Sequence, residues 1–185
     1  MSGKGRIIRE RYEATCKGYD ELYRAEQYAK YAVALKKVPP RGKVLDAGCG
    51  TALLAEYMKV AGLLDSVEVY VCLDYSPCML NIALWRLSTL CSPGKCVGVL
   101  GNVEKLPLPS KHFDVVYSFT VLDLVDDLHS SVSELLRVSR GPVIASLLKR
   151  LSYKDSLLEL GAEVVGITDK DVILLLNTIN LHRVH

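Results

Sequence analysis

The chain has 185 residues, half of them hydrophobic and about a quarter charged, with a net charge of +2. That length can bury a substantial core, the composition argues against disorder, and no apolar run reaches the roughly 18–20 residues needed to cross a bilayer. A cytoplasmic protein of one domain is the expectation, residues 1–40 forming a helical arm or lid and residues 41–185 the core.

Charge is unevenly spread along the chain. Residues 1–43 hold eleven Lys or Arg against five Asp or Glu, so this segment carries +6 and the remainder −4. A basic end of this kind either meets an anionic partner or stands as a solvated arm. Good helix formers from Asp20 to Lys37 place Leu22, Ala25, Ala29, Ala32 and Val33 along one side, and Pro39 and Pro40 stop the helix. Tyr12, Tyr19, Tyr23, Tyr28 and Tyr31 cluster in and before it.

The stretch from Lys43 to Ala52 reads as a short buried strand, Asp46 at its carboxyl end, a turn through Gly48 and Gly50, and a helix beginning near Thr51. Glycines there permit positive φ and let a ligand lie against bare backbone, and amides opening a helix can meet a polar ligand. Leu53, Leu54, Tyr57, Met58 and Ala61 then make one helical face, ended by Gly62. Val67 to Leu73 is a second strand, followed by Asp74. Ser76-Pro77 starts a helix, with serine as cap and proline in the first turn, and Leu80, Ala83, Leu84 and Leu87 form its apolar stripe. Cys96 to Leu100 is a third strand and Phe113 to Phe119 a fourth, with Leu128, Val132, Leu135 and Leu136 on the helix behind it. Val143 to Leu148 is a fifth strand, followed by a short helix from Lys154 to Leu160. Glu163–Thr168 and Val172–Thr178 are separated only by Asp169-Lys170-Asp171, too little for a crossover helix, so they form an antiparallel hairpin.

The six cysteines show no C-x-x-C spacing, so no zinc site is expected. Cys49 and Cys72 fall in buried pieces, where a free thiol behaves as a small hydrophobe. Cys91 and Cys96 flank Ser92-Pro93-Gly94-Lys95 and can be bridged where the cell tolerates intracellular disulfides.

Strands alternating with helices predict a mostly parallel sheet covered on both faces, with ligands at the carboxyl ends of the strands. Val44-Leu45-Asp46-Ala47-Gly48-Cys49-Gly50-Thr51 resembles the first motif of class I S-adenosylmethionine-dependent methyltransferases, and the later motifs follow in order as far as Thr178. The resemblance implies an α/β fold, a Rossmann-like three-layer sandwich with a mostly parallel seven-stranded sheet closed by an antiparallel C-terminal hairpin. It also implies S-adenosylmethionine as cofactor. Asp46, Gly48 and Gly50 would surround its methionine portion, Asp74 would take the ribose hydroxyls, and Tyr75 would pack on the adenine. Asn102 and Val103 match the residues at the adenine edge, and Ser118 ends the strand beside the methyl group. Phe119, Thr120 and Leu122 would line the wall between cofactor and acceptor. The chain departs from the family at Ala52, usually glycine, and at Asn102, usually aspartate.

Methyl transfer from an activated sulfonium needs mainly alignment in a dry pocket. A base is required only where the acceptor must lose a proton; Asp123 is the candidate, and capping of the following helix is its alternative role. His112 and His129 read as exposed loop or helix-end residues, and His182 and His185 lie in the terminal tail. The Asn-Pro-Pro-Tyr type of signature is replaced by Ser118-Phe119-Thr120-Val121, which lowers the expectation of amide or exocyclic amine chemistry. No lid insertion precedes the final hairpin, so Tyr12, Tyr19 and Tyr23 are expected to close over the cofactor. The basic arm and bare catalytic face favour RNA or protein as acceptor, and the compact build is similar to enzymes that need a small activating subunit. Asp74-Tyr75-Ser76-Pro77 and Asn81-Ile82-Ala83 are shared instead with enzymes acting on quinones and other metabolites. A non-catalytic cofactor-binding module is the third reading. No metal and no membrane contact are expected.

Overall fold

The computed structural model describes residues 7, 10, 12–150, 153–159 and 161–177. Seven strands form one sheet in the order β3-β2-β1-β4-β5-β7-β6. They are β1 (Gly42–Ala47), β2 (Val67–Asp74), β3 (Cys96–Leu100), β4 (Val115–Phe119), β5 (Val143–Leu148), β6 (Glu163–Ile167) and β7 (Asp171–Leu175). The first five pair in parallel, while β7 runs antiparallel to both β5 and β6. The chain reverses its winding between β1 and β4, and that switch point opens a crevice at the carboxyl ends of the strands.

Among the described residues the sheet is covered by α1 (Tyr19–Lys37), α2 (Leu53–Val60), α3 (Pro77–Leu90), α4 (Leu128–Val138) and α5 (Tyr153–Glu159). Strand side chains alternate between two apolar layers. Val44, Tyr70, Cys72, Tyr117 and Phe119 pack towards α1, α2 and α3, whereas Leu45, Ala47, Leu73, Val116 and Ala145 pack with Val132 and Leu135 of α4. Helix starts follow the sequence where side chains cap them: Ser76 Oγ accepts the Met79 amide at 3.2 Å, and Asp127 Oδ1 accepts the Ser130 amide at 2.9 Å. Cap duty at α4 thus belongs to Asp127 rather than Asp123.

The N-terminal helix differs from its expected orientation. Leu22 is 70% exposed and Ala25, Ala29 and Ala32 also face solvent, while Gln27, Lys30, Tyr31, Ala34 and Leu35 are buried. The buried set has ideal helical spacing, but two of its members are polar. Lys30 reaches Asp171 at 3.2 Å and Gln27 reaches Thr120 at 3.4 Å, partners that pay back burial of groups which would otherwise remain in water.

All six cysteines are bridged: Cys16–Cys78, Cys49–Cys72 and Cys91–Cys96, with Cα–Cα separations of 6.2, 5.4 and 6.0 Å. The Cys91–Cys96 bridge, which the sequence left open, is present. Cys49 and Cys72 are not free thiols, because their parallel neighbours β1 and β2 bring the loop after one strand beside the other. Cross-links stabilise chiefly by restricting the unfolded chain, more so for longer loops. Paired serine replacements should therefore lower the melting temperature most for Cys16 and Cys78, less for Cys49 and Cys72, and least for Cys91 and Cys96. Calorimetric melts of the three variants check this order, which follows sequence separations of 62, 23 and 5 residues.

Candidate active site

A cavity of about 450 Å³ lies at the switch point, lined by the ends of β1, β2, β3 and β4 and covered by the N-terminal segment. Gly48, Gly50, Asp74, Tyr75, Asn102 and Val103 all face it, as do Tyr12 and Tyr19. The first six sit at or beyond the end of a strand, where the chain leaves the packed layers and can reach the crevice.

The two glycines of the first loop do different work. Gly48 has φ of +81° and a side chain there would meet Val121 Cγ2 at 2.1 Å, so its bareness admits the loop after β4. Gly50 has φ of +55°, and the nearest atom to an added Cβ is Tyr19 Cε1 at 3.9 Å, which leaves bare backbone towards the cavity. The amides of Gly48 and Cys49 both donate to the Leu73 carbonyl, at 2.7 and 2.9 Å. They are therefore committed to the fold instead of awaiting a ligand. Ala52 takes the left-handed conformation, φ 62° and ψ 36°, immediately before α2. This is why glycine is the usual residue at that position: an L side chain there costs about 1–2 kcal/mol.

Asp74 is fixed by the Gly50 amide on Oδ2 and the Ser76 amide on Oδ1, both at 2.8 Å. Burial raises its pKa, and the amides of Ser76 and Gly50 counter that rise. Asn102 Oδ1 accepts the Glu104 amide at 3.0 Å, closing a short turn that presents Asn102, Val103 and Glu104 to the cavity. Glu104 Oε1 in turn accepts the amides of Asp126 and Asp127, at 2.6 and 3.1 Å, which ties this edge to the loop before α4.

Three expected site residues are not brought to the cavity wall. Asp46 is buried inside β1, where Tyr70 donates to its Oδ2 at 2.5 Å. Burial pushes its carboxyl up to about 7, the Tyr70 hydroxyl counters, and the Asp74 charge adds to the rise. Ser118 is fully buried within β4 and donates to the Ala47 carbonyl at 3.1 Å. Asp123 is also buried, and its Oδ2 accepts the Leu148 amide at 3.0 Å, joining the loop after β4 to the end of β5. Phe119 and Thr120 line the cavity as expected, but Leu122 is fully buried beneath it. His112 packs edge-on against Phe113, His129 is exposed, and His182 and His185 lie outside the described residues. Lys4, Arg6, Arg9 and Arg11 of the basic arm also lie outside them.

Closure by the N-terminal tyrosines is partly as expected. Tyr12 and Tyr19 line the cavity with ring centroids 6.3 Å apart, whereas Tyr23 stands behind Tyr19 at 4.9 Å. The Cys16–Cys78 bridge fastens this segment to the start of α3, and Glu13 Oε1 accepts from Ser76 Oγ at 2.7 Å and the Cys78 amide at 3.2 Å. Sequence reasoning missed a second fastening, the buried Arg86. It donates to the Thr51 carbonyl and to Asp20, and lies 3.0 Å from Glu56 Oε2. Thr51 Oγ1 donates to Asp20 Oδ1 at 2.6 Å, so α1, α2, α3 and the glycine loop meet in one ionic network.

The residues present fit a nucleoside-bearing cofactor. An oriented carboxylate at the end of β2 can accept from vicinal hydroxyls, Gly50 offers open backbone, and Tyr75, Met79 and Val103 supply apolar walls. Among the described residues no cluster of His, Cys, Asp or Glu is arranged to hold a metal, and no helix is long and apolar enough to cross a membrane.

The family model described as "Methyltransferase domain" matches residues 45–142. The malonyl-[acyl-carrier protein] O-methyltransferase of Serratia marcescens is 32% identical over 63% of this chain and 42% of its own length. The demethylmenaquinone methyltransferase of Leptospira interrogans is 34% identical over 51% of this chain and 37% of its own. The chain thus spans less than half the length of these curated relatives. Among solved structures, magnesium protoporphyrin IX methyltransferase from Synechocystis, with bound S-adenosylmethionine, superposes with a TM-score of 0.71 at 17% identity, covering 95% of this chain and 97% of that one. A Haloferax volcanii complex of the Trm112 methyltransferase activator with a methyltransferase gives a TM-score of 0.64 at 19% identity, covering 74% of this chain and 59% of that one.

Proposed function

This chain belongs to the class I S-adenosylmethionine-dependent methyltransferases, and from that premise we propose that it methylates a small, largely apolar molecule. The observation that carries this reading is the cavity of about 450 Å³, whose lining adds Phe119, Val121, Leu124 and Val125 to the cofactor residues. A concave pocket with an apolar wall suits a compact acceptor. The relative that acts on demethylmenaquinone points the same way. RNA or protein, favoured by the basic arm, is the weaker reading, since among the described residues no Lys or Arg of that arm lines the cavity. The activating subunit stays a proposal supported by the Haloferax volcanii complex alone.

When bound, S-adenosylmethionine supplies an already activated methyl group. The chain's residues then have to bind, orient and exclude water. Asp74 holds the ribose hydroxyls, the turn at Asn102 and Val103 borders the adenine, and Gly50 lets the methionine portion approach the backbone. Tyr12 and Tyr19 close the pocket, and the loop Phe119–Val121 faces the reacting centre.

Calorimetry tests the cofactor half. Asp74→Ala removes two charge-assisted hydrogen bonds worth roughly 1.5 kcal/mol each, so the dissociation constant for S-adenosylmethionine should rise about 100-fold. An unchanged constant would remove Asp74 from the cofactor site. For the acceptor half, tritiated methyl donor is incubated with the protein and native-cell extract separated into RNA, protein and metabolite pools. Label in the metabolite pool is the expected result, and label confined to RNA or protein would overturn the small-molecule reading.

A further inference from the structure

A buried cation stands behind the acceptor wall, and cofactor binding does not account for it. Lys30 of α1 is fully buried, with its ammonium 3.2 Å from Asp171 Oδ2, 3.1 Å from Glu26 Oε1 and 2.7 Å from Thr120 Oγ1, to which it donates. Lys170 lies 2.7 Å from the other Glu26 oxygen, so two cations face two carboxylates and the cluster carries no net charge. Gln27, only 3% exposed, donates from Nε2 to Thr120 Oγ1 at 3.4 Å and to Tyr19 Oη at 3.2 Å. Replacing a buried ion pair by apolar groups is often neutral or stabilising, so stability alone does not call for this arrangement. Thr120 adds backbone strain, since its φ of +60° is a left-handed conformation for a β-branched residue. These costs converge on the hydroxyls of Thr120 and Tyr19, two residues that line the cavity.

The hydrogen-bond directions have a chemical consequence. Thr120 Oγ1 accepts from Lys30 and Gln27, which fills its lone pairs and leaves its proton as the group it can offer. Tyr19 Oη likewise accepts from Gln27, and burial lifts its pKa well above the usual phenol range, so it keeps its proton. We propose that Thr120 and Tyr19, positioned by Lys30 and Gln27, form a two-donor subsite for an oxygen of the methyl acceptor, and that the acceptor is an apolar oxygen acid, a carboxylate or phenolate. The proposal rests on the small-molecule reading above. An amine acceptor presents N–H groups that need lone pairs, and here those lone pairs are taken. Transfer breaks the sulfur–methyl bond and forms an oxygen–methyl bond. The electron pair stays on sulfur as a neutral thioether, the acceptor loses its negative charge on becoming an ester or ether, and no proton moves. A base at Asp123 is then unnecessary.

The test uses the full chain saturated with S-adenosylhomocysteine and three probes, benzoate, 4-nitrophenolate and benzylamine, titrated by NMR chemical-shift changes. Benzoate and 4-nitrophenolate are expected to bind and benzylamine to fail. Tyr19→Phe and Thr120→Ala should each weaken benzoate binding at least tenfold, and Thr120→Ser should restore it to within about threefold. Tyr19→Phe lies outside the strained turn and carries the test should Thr120→Ala fail to fold. Tighter binding of benzylamine, no binding of benzoate, or benzoate binding indifferent to both changes overturns the proposal. Failure of the small-molecule reading shows separately, as tritium found only in macromolecules.

Discussion

Arg86→Met should lower the unfolding free energy by about 3 kcal/mol, the lower range for removing one member of a buried ion pair. Arg86 is 8% exposed and joins Asp20 of α1, Glu56 of α2 and the Thr51 carbonyl. Methionine fills much the same volume, so lost packing is a minor part of the effect. Arg24 also pairs with Asp20, at 3.2 Å, and with Glu56, and Tyr28 donates to Glu56 at 2.5 Å. These remaining contacts hold the cost at the lower end. Urea denaturation followed by far-ultraviolet dichroism measures it, and a loss under 1 kcal/mol would mean that water already screens the network. Because Thr51 follows Gly50 directly, the same variant should bind S-adenosylmethionine more weakly.

This network also marks where the sequence stops being readable. Strands β1 to β5 are legible because a parallel strand buried on both faces is a nearly continuous apolar run, and Val67–Asp74 and Val143–Leu148 have that form. The closing hairpin is legible from the three residues between its strands. Position 30 is not: a lysine in a helix ordinarily faces water, and besides the neighbouring Glu26 its burial depends on Asp171 and Thr120, at least 90 residues away along the chain. The same holds for Cys16 and Cys78, whose pairing depends on the N-terminal segment crossing the start of α3.

The candidate site divides along a similar line. Gly50, Asp74, Asn102 and Thr120 were reachable because each follows or ends a strand, where the chain turns into the crevice. Asp46 and Ser118 belong to the same motifs, yet each lies inside its strand, and side chains there point into the helical layers. A motif therefore mixes residues that can touch a ligand with residues that hold the strand ends in place. Ser118 does the latter by donating across to the carbonyl of Ala47, the last residue of β1.

Asp46 gives the second large effect, a stability that declines as pH rises from about 4 to about 7. Its carboxyl is raised to about 7 in the folded chain, chiefly by burial, whereas an unfolded aspartate releases its proton near 4. Across that window the folded state holds the extra proton, so unfolding becomes easier with increasing pH. The full difference amounts to roughly 4 kcal/mol, reached once pH exceeds the folded value. Burial raises Asp74 as well, which contributes with the same sign. Asp46→Asn keeps a polar partner for the Tyr70 hydroxyl but removes the titration, so its melting temperature should vary much less between pH 4 and 7 than that of the parent chain. Equal slopes in the two proteins would show that Asp46 is ionised in the fold at pH 5. Below pH 4 the sign reverses, because Asp114, held low by Arg140, and Glu134, held low by Arg137, must take up protons. Stability should therefore peak in mildly acidic solution, near the lower edge of the Asp46 window, and the Asn variant should shift that peak towards neutrality.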